Sequence, residues 1–564
     1  MSLSAANPTR APVHSLPGPA ELLVDVMEDV GDPVLVTAVC SHWRHFTLST
    51  ARLWTHIEVQ DIDVYAAVAK TQAFAARSGN LPLHIHRRDN RAPDIDLELV
   101  VGVLNQLLIS LFSRCASFAY VRAYRPAVRR SNSDEIPPLL DETSWTFVAT
   151  LLSCSAPRLR SFTLEITSFE FRVSDDDRGD TVFDLAVNWP LLTELDISAC
   201  LPLWTLKSPA LKTLTVYPQQ CDWECQNAET FSVDLGALTR ASPSLQVLDV
   251  QWTIGELLGE RLLTESYALL GDLLQPQVRD VRLNGVHVSW FSPPNNLHDR
   301  TLHLPNLAYL ALAGNGSRPG FCEEERGTLA VQELIYLLEA APNLVNLYIS
   351  DWDVPVVVPD LSSLMKVPLN KLESVRFRWV EATWCKHILG AMIAPHLREL
   401  DLALGYWEPD DESNCELFVP SSTLPWSFPE LEDLEINFLD EHVAPPAYAG
   451  TEIPALLRNG NFPRLKTLNL GENTHGFIHG TCVDDIVRVL SDSHVAPSLE
   501  TLTMTDCDRS GEDDYSPDSQ ARNKQTAEEM AHYLNSMRRG EGDHLVVPPI
   551  TIQYARCFGC SDHK

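Results

Sequence analysis

The sequence predicts an α/β repeat solenoid, a horseshoe in which short parallel strands line the concave face and helices or loops form the convex face. One short phrase occurs twelve times: an apolar residue, two variable residues, an apolar residue, one variable residue and an apolar residue. Pro usually stands two places before it, as in PRLRSFTL (Pro157–Leu164) and PSLETLTM (Pro497–Met504). Six of the eleven spacings between phrases are 33 or 34 residues. Such a period indicates units that bury apolar faces against their neighbours.

Each phrase predicts one strand. Its last two apolar residues alternate with variable ones, which is typical of a strand with one buried face. Further along, several repeats carry a residue that can bond to backbone inside a turn, namely Thr167, Cys200, Asn315, Asn473 and Cys507. This pattern resembles the leucine-rich repeat. The Pro before each phrase is expected to end the preceding helix.

Other segments predict further elements. Leu81–His86 and Phe118–Ala123 are candidate strands before the first phrase, and Ile550–Tyr554 is a candidate last strand. Helices are expected at Leu99–Phe112, Leu329–Ala341, Val483–Ser491 and Ala527–Arg539. The last of these is expected to begin at a capping box of Thr526 and Glu529.

The composition limits the classes of partner. The 564 residues carry a net charge of −33, which argues against nucleic acid and anionic membranes as partners. Thirteen Cys are scattered without a disulfide framework and no secretory signal opens the chain, so we expect a reduced protein of the cytoplasm, the nucleus or both. The longest apolar stretch, Leu99–Phe112, is too short for a membrane span.

A separate helical module precedes the repeats. Pro19 stands at the start of a helical pattern whose apolar residues share one face, namely Leu22, Leu23, Val26, Met27 and Val30. Gly31, Asp32 and Pro33 interrupt this pattern. A second helical run is expected from Val36 to Trp43, with Val36, Val39, Cys40 and Trp43 at offsets 0, 3, 4 and 7. Such a small module needs a partner surface to cover its apolar residues.

These residues resemble the F-box family. The family pattern is Leu-Pro-x-Glu-Leu-Leu, then Ile-Phe, a loop often bearing Asp-Pro, and Val-Cys-x-x-Trp-Arg. The matches here are Pro19-Ala20-Glu21-Leu22-Leu23, Val26-Met27, Asp32-Pro33 and Val39-Cys40-Ser41-His42-Trp43-Arg44. Two departures from the pattern stand out. Gly18 takes the place of the family's Leu, unless Leu16-Pro17 supplies that element with a two-residue insertion, and the stretch from Pro33 to Val39 is about three residues, close to one helical turn, shorter.

The resemblance implies a non-catalytic substrate receptor of an SCF-type cullin–RING ubiquitin ligase, without cofactor. The F-box would bind a Skp-type adaptor, and through it the cullin–RING core, while the repeats would hold the substrate. The expected adaptor-binding residues are Pro19, Leu22, Leu23, Val26, Met27, Val39, Cys40 and Trp43. The alternative is a leucine-rich-repeat scaffold whose helical hairpin only caps the solenoid, because terminal repeats need caps.

The concave face carries a candidate substrate site. Four acidic residues of two successive phrases, Glu399, Asp401, Asp433 and Glu435, are expected to form one patch, since neighbouring strands lie about 5 Å apart. The patch predicts a substrate segment rich in Lys and Arg. The alternative is an ordinary solvated surface, with Arg398 and Lys466 offsetting the repulsion.

The expected organisation is a disordered N-terminus (1–13), an F-box-like helical module (14–57), linker helices with irregular first repeats (58–156), and the solenoid with a C-terminal cap (157–564). Acidic insertions at Ser174–Asp180, Glu408–Glu416 and Cys507–Asp518 are expected to be exposed loops. Cys557, Cys560 and His563 offer three candidate ligands where a structural zinc site needs four, so no metal site is predicted.

Overall fold

A computed structural model describes the chain in segments that are separated by gaps, and it contains two compact units. The described residues are 33–60, 63–89, 98–122, 142–166, 188–198, 208–217, 238–251, 274–284, 302–313, 331–352, 366–405, 428–438, 453–454, 456–458, 462–470, 480–505, 517–538 and 548–555. The first unit comprises Met1–Ser168 with Val187–Leu192, and the second comprises Phe169–Ala186 with Thr193–Lys564. Each unit is an α/β structure with parallel strands.

In the first unit, helices alternate with strands. The helices are α1 (Pro33–Val39), α2 (Ser41–Ser49), a short 3-10 helix (Ala51–Trp54), α3 (Val64–Arg77), α4 (Glu98–Phe112) and α5 (Glu142–Ser153). The strands are β1 (His56–Gln60), β2 (Leu83–Asp89), β3 (Cys115–Arg122) and β4 (Ser161–Ile166), and they pair in parallel in chain order. The two candidate strands before the first phrase are therefore confirmed as β2 and β3, and α4 confirms the helix expected at Leu99–Phe112.

The core of the first unit is an aromatic cluster under its strands. Phe118 of β3 and Phe162 of β4 are register partners, and their rings stack with centroids 6.1 Å apart. Phe112, at the end of α4, meets Phe118 edge-on at 5.3 Å. The indole ring of Trp189 packs on Phe162 at 4.7 Å, and its N–H donates to the carbonyl of Cys154 at 3.0 Å. All four rings are fully buried, so they hold α4, β3, β4 and the segment of Trp189 together.

The expectation of one helical run from Val36 to Trp43 is wrong. Cys40 has an extended backbone (φ −158°, ψ 170°) and separates α1 from α2. Its Sγ accepts a hydrogen bond from the N–H of Trp43 at 3.4 Å, so Cys40 is the N-cap of α2 rather than a helical residue. Periodicity did not reveal the break, because a cap that replaces one helical residue leaves the apolar spacing almost unchanged.

In the second unit, each strand follows the last in one parallel order. These strands are β5 (Glu194–Ser198), β6 (Thr213–Val216), β7 (Val247–Gln251), β8 (Asp280–Asn284), β9 (Tyr309–Ala313), β10 (Asn346–Trp352), β12 (Ser374–Glu381), β14 (Glu399–Gly405), β15 (Asp433–Phe438), β16 (Thr467–Leu470), β17 (Thr501–Thr505) and β18 (Thr551–Ala555). Two short strands, β11 (Val367–Pro368) and β13 (Met392–Ile393), pair separately. The twelve phrases form β4–β10, β12 and β14–β17, and the last strand expected at Ile550–Tyr554 is β18.

Helices connect some of these strands: α6 (Val331–Ala340), α7 (Ala382–Ala391), α8 (Gly480–Leu490) and α9 (Pro517–Arg538). Helices α6 and α8 confirm two expected helices. The expected start of the last helix is wrong, because α9 begins at Pro517 and Thr526 lies inside it. Pro fits the first helical position, and no Gly or Pro between Asp518 and Thr526 ends the helix, so the capping-box pattern at Thr526 is not used.

A single turn recurs before every one of the twelve strands. The N–H of the first apolar residue of the phrase donates to the carbonyl three residues earlier, at 3.0–3.3 Å, from Leu159 to Ala156 through Leu499 to Ala496. In eleven of the twelve turns Pro is the second residue, where its fixed φ suits the turn. That first apolar residue is never more than 1% exposed. The proline therefore belongs to the turn that inserts the leucine into the core.

Successive repeats are joined at these turns. In the second unit one carbonyl accepts two N–H groups of the next repeat: Arg279 accepts from Ala308 at 2.8 Å and from Tyr309 at 3.0 Å. Where Asn follows the Pro, its side chain reaches back one repeat, as in Asn343 Nδ2 to the carbonyl of Pro305 at 2.7 Å. These bonds set the register, so consecutive phrases present equivalent residues side by side.

Some expectations concern residues outside the described segments. They are the turn residues Thr167, Cys200, Asn315, Asn473 and Cys507, the acidic insertions apart from Pro517 and Asp518, and the Cys-rich tail with Cys557, Cys560 and His563. The curvature of a leucine-rich-repeat horseshoe and the four domain boundaries stay predictions. Within the described residues, every helix is too short or too polar to cross a membrane.

The core role of the first leucine predicts a large loss of stability on truncation. Leu397 is fully buried, whereas Ile393, four residues earlier, is 48% exposed. We expect Leu397→Ala to lower the free energy of unfolding by about 2–5 kcal/mol and Ile393→Ala by less than about 1 kcal/mol. Urea denaturation of the full chain measures both. Equal losses would contradict the assignment of Leu397 to the inter-repeat core.

Candidate functional site: two exposed surfaces

The first surface is the apolar side of the N-terminal helices. Val34, Leu35 and Val39 of α1 are 49%, 61% and 63% exposed, and Leu48 of α2 is 44% exposed. Val36, between them, is buried. Four large apolar side chains on two short helices form a surface of the kind that marks protein–protein interaction. We call these four residues the apolar helix surface.

The predicted adaptor-binding residues are only partly described. Val39 and Cys40 are exposed and Trp43 is half-buried. Pro19, Leu22, Leu23, Val26 and Met27 lie outside the described residues. The motif did not predict Val34, Leu35 and Leu48. The sequence indicates Leu35 through its spacing of four residues from Val39, which places both side chains on one helix face without Val36.

The module is anchored to the first repeat through one tryptophan. Trp54 is 2% exposed, and its indole N–H donates to the carbonyl of Thr47 in α2 at 2.8 Å. Its ring meets Phe74 of α3 edge-on at 4.9 Å, and the guanidinium of Arg77 lies 4.6 Å from the ring centroid. Trp54 therefore holds the helical module against α3 while the apolar helix surface stays exposed.

The second surface is the outward side of the strands in the second unit. Along the strands, buried residues alternate with exposed or half-buried ones: in Thr213–Val216, Leu214 and Val216 are buried, while Thr213 and Thr215 are half-buried. The parallel register aligns the outward positions into rows that run across the strands. One row holds Ser374, Glu399, Asp433 and Thr467, and the next holds Arg376, Asp401, Glu435 and Asn469.

The four acidic residues predicted to form a patch lie together. Glu399 and Asp433 are register partners, and so are Asp401 and Glu435. Their clustering was predictable because both phrases carry acids at the same positions. Their binding of a substrate stays a prediction.

Two arginines of the preceding strand offset the acids. Arg376 Nη2 lies 3.6 Å from Glu399 Oε2. Arg378 donates from Nε at 3.1 Å and from Nη2 at 2.9 Å to the same oxygen of Asp401, Oδ2. Both pairs run diagonally between β12 and β14. Lys466, which was expected to offset the patch, binds Glu432 instead at 2.5 Å. We call Arg376, Arg378, Glu399, Asp401, Asp433 and Glu435 the charged patch.

One carboxylate oxygen of the charged patch has no hydrogen bond. Asp401 is 8% exposed, and within the described part of the chain its Oδ1 is buried without a partner. Asn469, two strands away in the same row, also has a buried Oδ1 without a partner there. Between them stands Glu435, whose Oε1 accepts from Asn437 Nδ2 at 2.7 Å. Buried acceptors without partners are rare, so this row calls for an explanation.

The outward side of the strands in the first unit holds a histidine group that the sequence did not predict. His56 of β1 stacks on His84 of β2 at 4.6 Å, and His84 Nδ1 lies 2.8 Å from Ser117 Oγ of β3. Together with His86 and Glu58 they border a concavity of about 400 Å³. Among the described residues, no three His, Cys, Asp or Glu side chains are arranged to hold a metal ion.

The histidine group predicts acid-sensitive stability. Burial, and then repulsion from His56, lowers the pKa of His84 below its ordinary value of 6.5. The pKa of the neighbouring His86 is lowered too, by burial and then by repulsion from Arg88, against the attraction of Glu58 and Glu165. Between about pH 6.5 and the lower pKa of the folded state, His84 therefore binds more protons in the unfolded chain than in the folded one, so its contribution to stability falls as the pH falls through that range.

We expect His84→Gln to flatten the dependence of the free energy of unfolding on pH between 7 and 5. Thr213→Gln, a change at an outward strand position without a titrating side chain, is the control and should leave the slope unchanged. Urea denaturation at several pH values measures the slopes. An unchanged slope in His84→Gln would exclude His84 as the proton acceptor.

Comparison with known proteins assigns neither surface. No protein-family model matches the chain, and no curated protein matches it. The resemblance to F-box proteins therefore depends on the motif residues themselves. Of these, the structure describes Pro33 and the segment from Val39 to Arg44.

Proposed function

We propose that the protein is the substrate-recognition subunit of an SCF-type cullin–RING ubiquitin ligase. Its N-terminal helices bind a Skp-type adaptor, and its repeats, a leucine-rich-repeat horseshoe, bind the protein to be ubiquitinated. In this proposal the protein works in the cytoplasm, the nucleus or both. It performs no catalysis itself; it raises the effective concentration of a substrate lysine near the enzyme that carries ubiquitin.

The observation that carries the proposal is the apolar helix surface on an anchored module. Val34, Leu35, Val39 and Leu48 remain exposed although Trp54 fixes the same module to α3. A module that served only the fold would bury such side chains, because each buried aliphatic side chain contributes about 1.5–3 kcal/mol. Their exposure supports binding of a second protein at α1 and α2.

The strand surface supports the receptor half of the proposal. Its outward side chains are mostly charged or polar, and they are held in rows by the register of the parallel strands. The charged patch provides separated positive and negative groups, which give specificity to protein association. The net charge of −33 fits a basic partner.

The second candidate function is a repeat scaffold without a ligase. The packing of Trp54 on Phe74 and Arg77 favours it, because that contact caps the first repeat. In this alternative the helical module only closes the end of the array. The two candidates differ in whether α1 and α2 bind an adaptor.

The deciding experiment is co-purification of the full chain with a Skp-type adaptor. We expect the adaptor to bind, and Leu35→Asp with Val39→Asp to weaken binding at least tenfold, because two carboxylates would enter an apolar interface. Leu99→Asp is the matched control, since Leu99 is 82% exposed on α4 of the same unit. If the unchanged chain does not bind, or if Leu35 and Val39 do not matter, the scaffold is the better account.

Cysteine labelling tests the same surface without substitution. Cys40 is exposed beside Val39, whereas Cys115 is fully buried and burial raises its pKa to about 12. We expect an alkylating reagent to modify Cys40 in the free chain and to modify it at least tenfold more slowly with the adaptor bound. Cys115 should stay unmodified in both states. Peptide mass spectrometry measures both, and equal Cys40 labelling in the two states would place the adaptor elsewhere.

A further inference from the structure

The charges on the strand surface change sign across three neighbouring strands, β12, β14 and β15, which lie between two strands with uncharged outward residues at the same level. On β10, the residues in register with Ser374, Arg376 and Arg378 are uncharged; they are Asn346, Tyr348 and Ser350. The next strand, β12, adds two arginines, β14 and β15 add two acids each, and β16 adds the uncharged Thr467 and Asn469. The charged patch therefore has a positive side at β12 and a negative side at β14 and β15.

Within the described part of the chain, two buried side-chain oxygens at and beside the negative side have no hydrogen-bond donor. Arg378 gives both of its bonds to Oδ2 of Asp401, so Oδ1 is left over. On the other side of Glu435, Asn469 Oδ1 is also buried and has no hydrogen-bond donor among the described residues. A buried acceptor without a donor is unfavourable. An N–H donor bound beside Glu435 would satisfy either one of them, since the two oxygens belong to strands that lie two spacings, about 10 Å, apart.

The donor that fits this row is a cation. Asp401 and Glu435 are adjacent carboxylates, and like charges at that distance repel each other. A lysine ammonium has three donors and a positive charge, and a guanidinium has five donors. Arg378 already pairs with Oδ2 of Asp401, but its side chain is 45% exposed, so it can turn toward solvent when another cation binds.

We infer that the row Asp401–Glu435–Asn469 binds a lysine or arginine side chain of the protein substrate, and that Arg376 and Arg378 bind an acidic side chain of the same segment. The inference rests on the proposed function in one respect only, that the bound segment belongs to a substrate. The site itself is independent of the N-terminal helices.

The strand spacing sets the spacing of the two charges in the segment. The distance from β12 to β15 is two strand spacings, about 10 Å. A polyproline II segment returns to the same side every three residues, about 9 Å along the chain. The expected motif is therefore an acidic and a basic residue three positions apart.

The test is selection from a random library of 12-residue peptides displayed on phage, with the full chain as the target. We expect the selected peptides to be enriched in Lys or Arg with Asp or Glu three positions away. Asp433→Lys with Glu435→Lys should remove the basic residue from the selected pool. Arg376→Glu with Arg378→Glu should remove the acidic residue. Thr213→Lys with Thr215→Lys, which adds two charges at outward positions of β6, should leave the pool unchanged.

A selected synthetic peptide then gives the affinity. We expect acetylation of its lysine, and separately the isosteric change Asp401→Asn in the protein, to weaken binding at least tenfold. Thermal unfolding of each variant shows that the loss is not loss of folding. A pool without charged residues, or a pool that both charge reversals leave unchanged, overturns the inference.

Adaptor binding by the same preparations separates the two proposals. Selection of the expected peptides by a chain that does not bind a Skp-type adaptor would keep the peptide site and refute the ligase role. Adaptor binding together with an uncharged pool would keep the ligase role and refute the peptide site.

Discussion

The insertion of the first leucine of each phrase between two repeats is the contact on which the rest of the structure depends. Its N–H donates to the carbonyl three residues earlier, and its side chain is buried in the core. A single repeat has no core in which this residue could be buried, so each unit is stable only beside the next. The fully buried Leu372 illustrates this well, because its turn has Asn370 in place of Pro and keeps the same bond.

This constraint separates the residues that determine folding from those free to determine binding. The first leucine and the two inward residues of each strand pack in the core, and the turn positions the leucine there. The outward residues alternate with them and bear almost none of the core packing, so they can carry charges such as Arg376 and Glu435. The register then converts single positions in different repeats into continuous rows. Charges at the outward positions leave the packing of the inward residues unchanged, because the two sets alternate along each strand.

The sequence predicted the strands well, because every phrase combines a turn signal with alternating apolar residues. It also predicted that Asp401 and Glu435 lie side by side, since equal positions in successive phrases become register partners. It did not predict the diagonal bonds of Arg378 to Asp401, because periodicity gives neighbours and not side-chain directions. The stacking of His56 on His84 was missed for another reason: β1 contains no recognisable phrase. The break at Cys40 was hidden, since one capping residue hardly disturbs helical spacing.

The central claim is that the protein has two separate binding surfaces, an apolar one on α1 and α2 and a charged one on β12–β15. Hydrogen–deuterium exchange of the full chain with and without a Skp-type adaptor tests it most directly. The account predicts slower exchange in Pro33–Val39 and Ser41–Ser49 with the adaptor bound, and unchanged exchange in Glu399–Gly405 and Asp433–Phe438. Protection of the strands instead of the helices, or no protection at all, would contradict it.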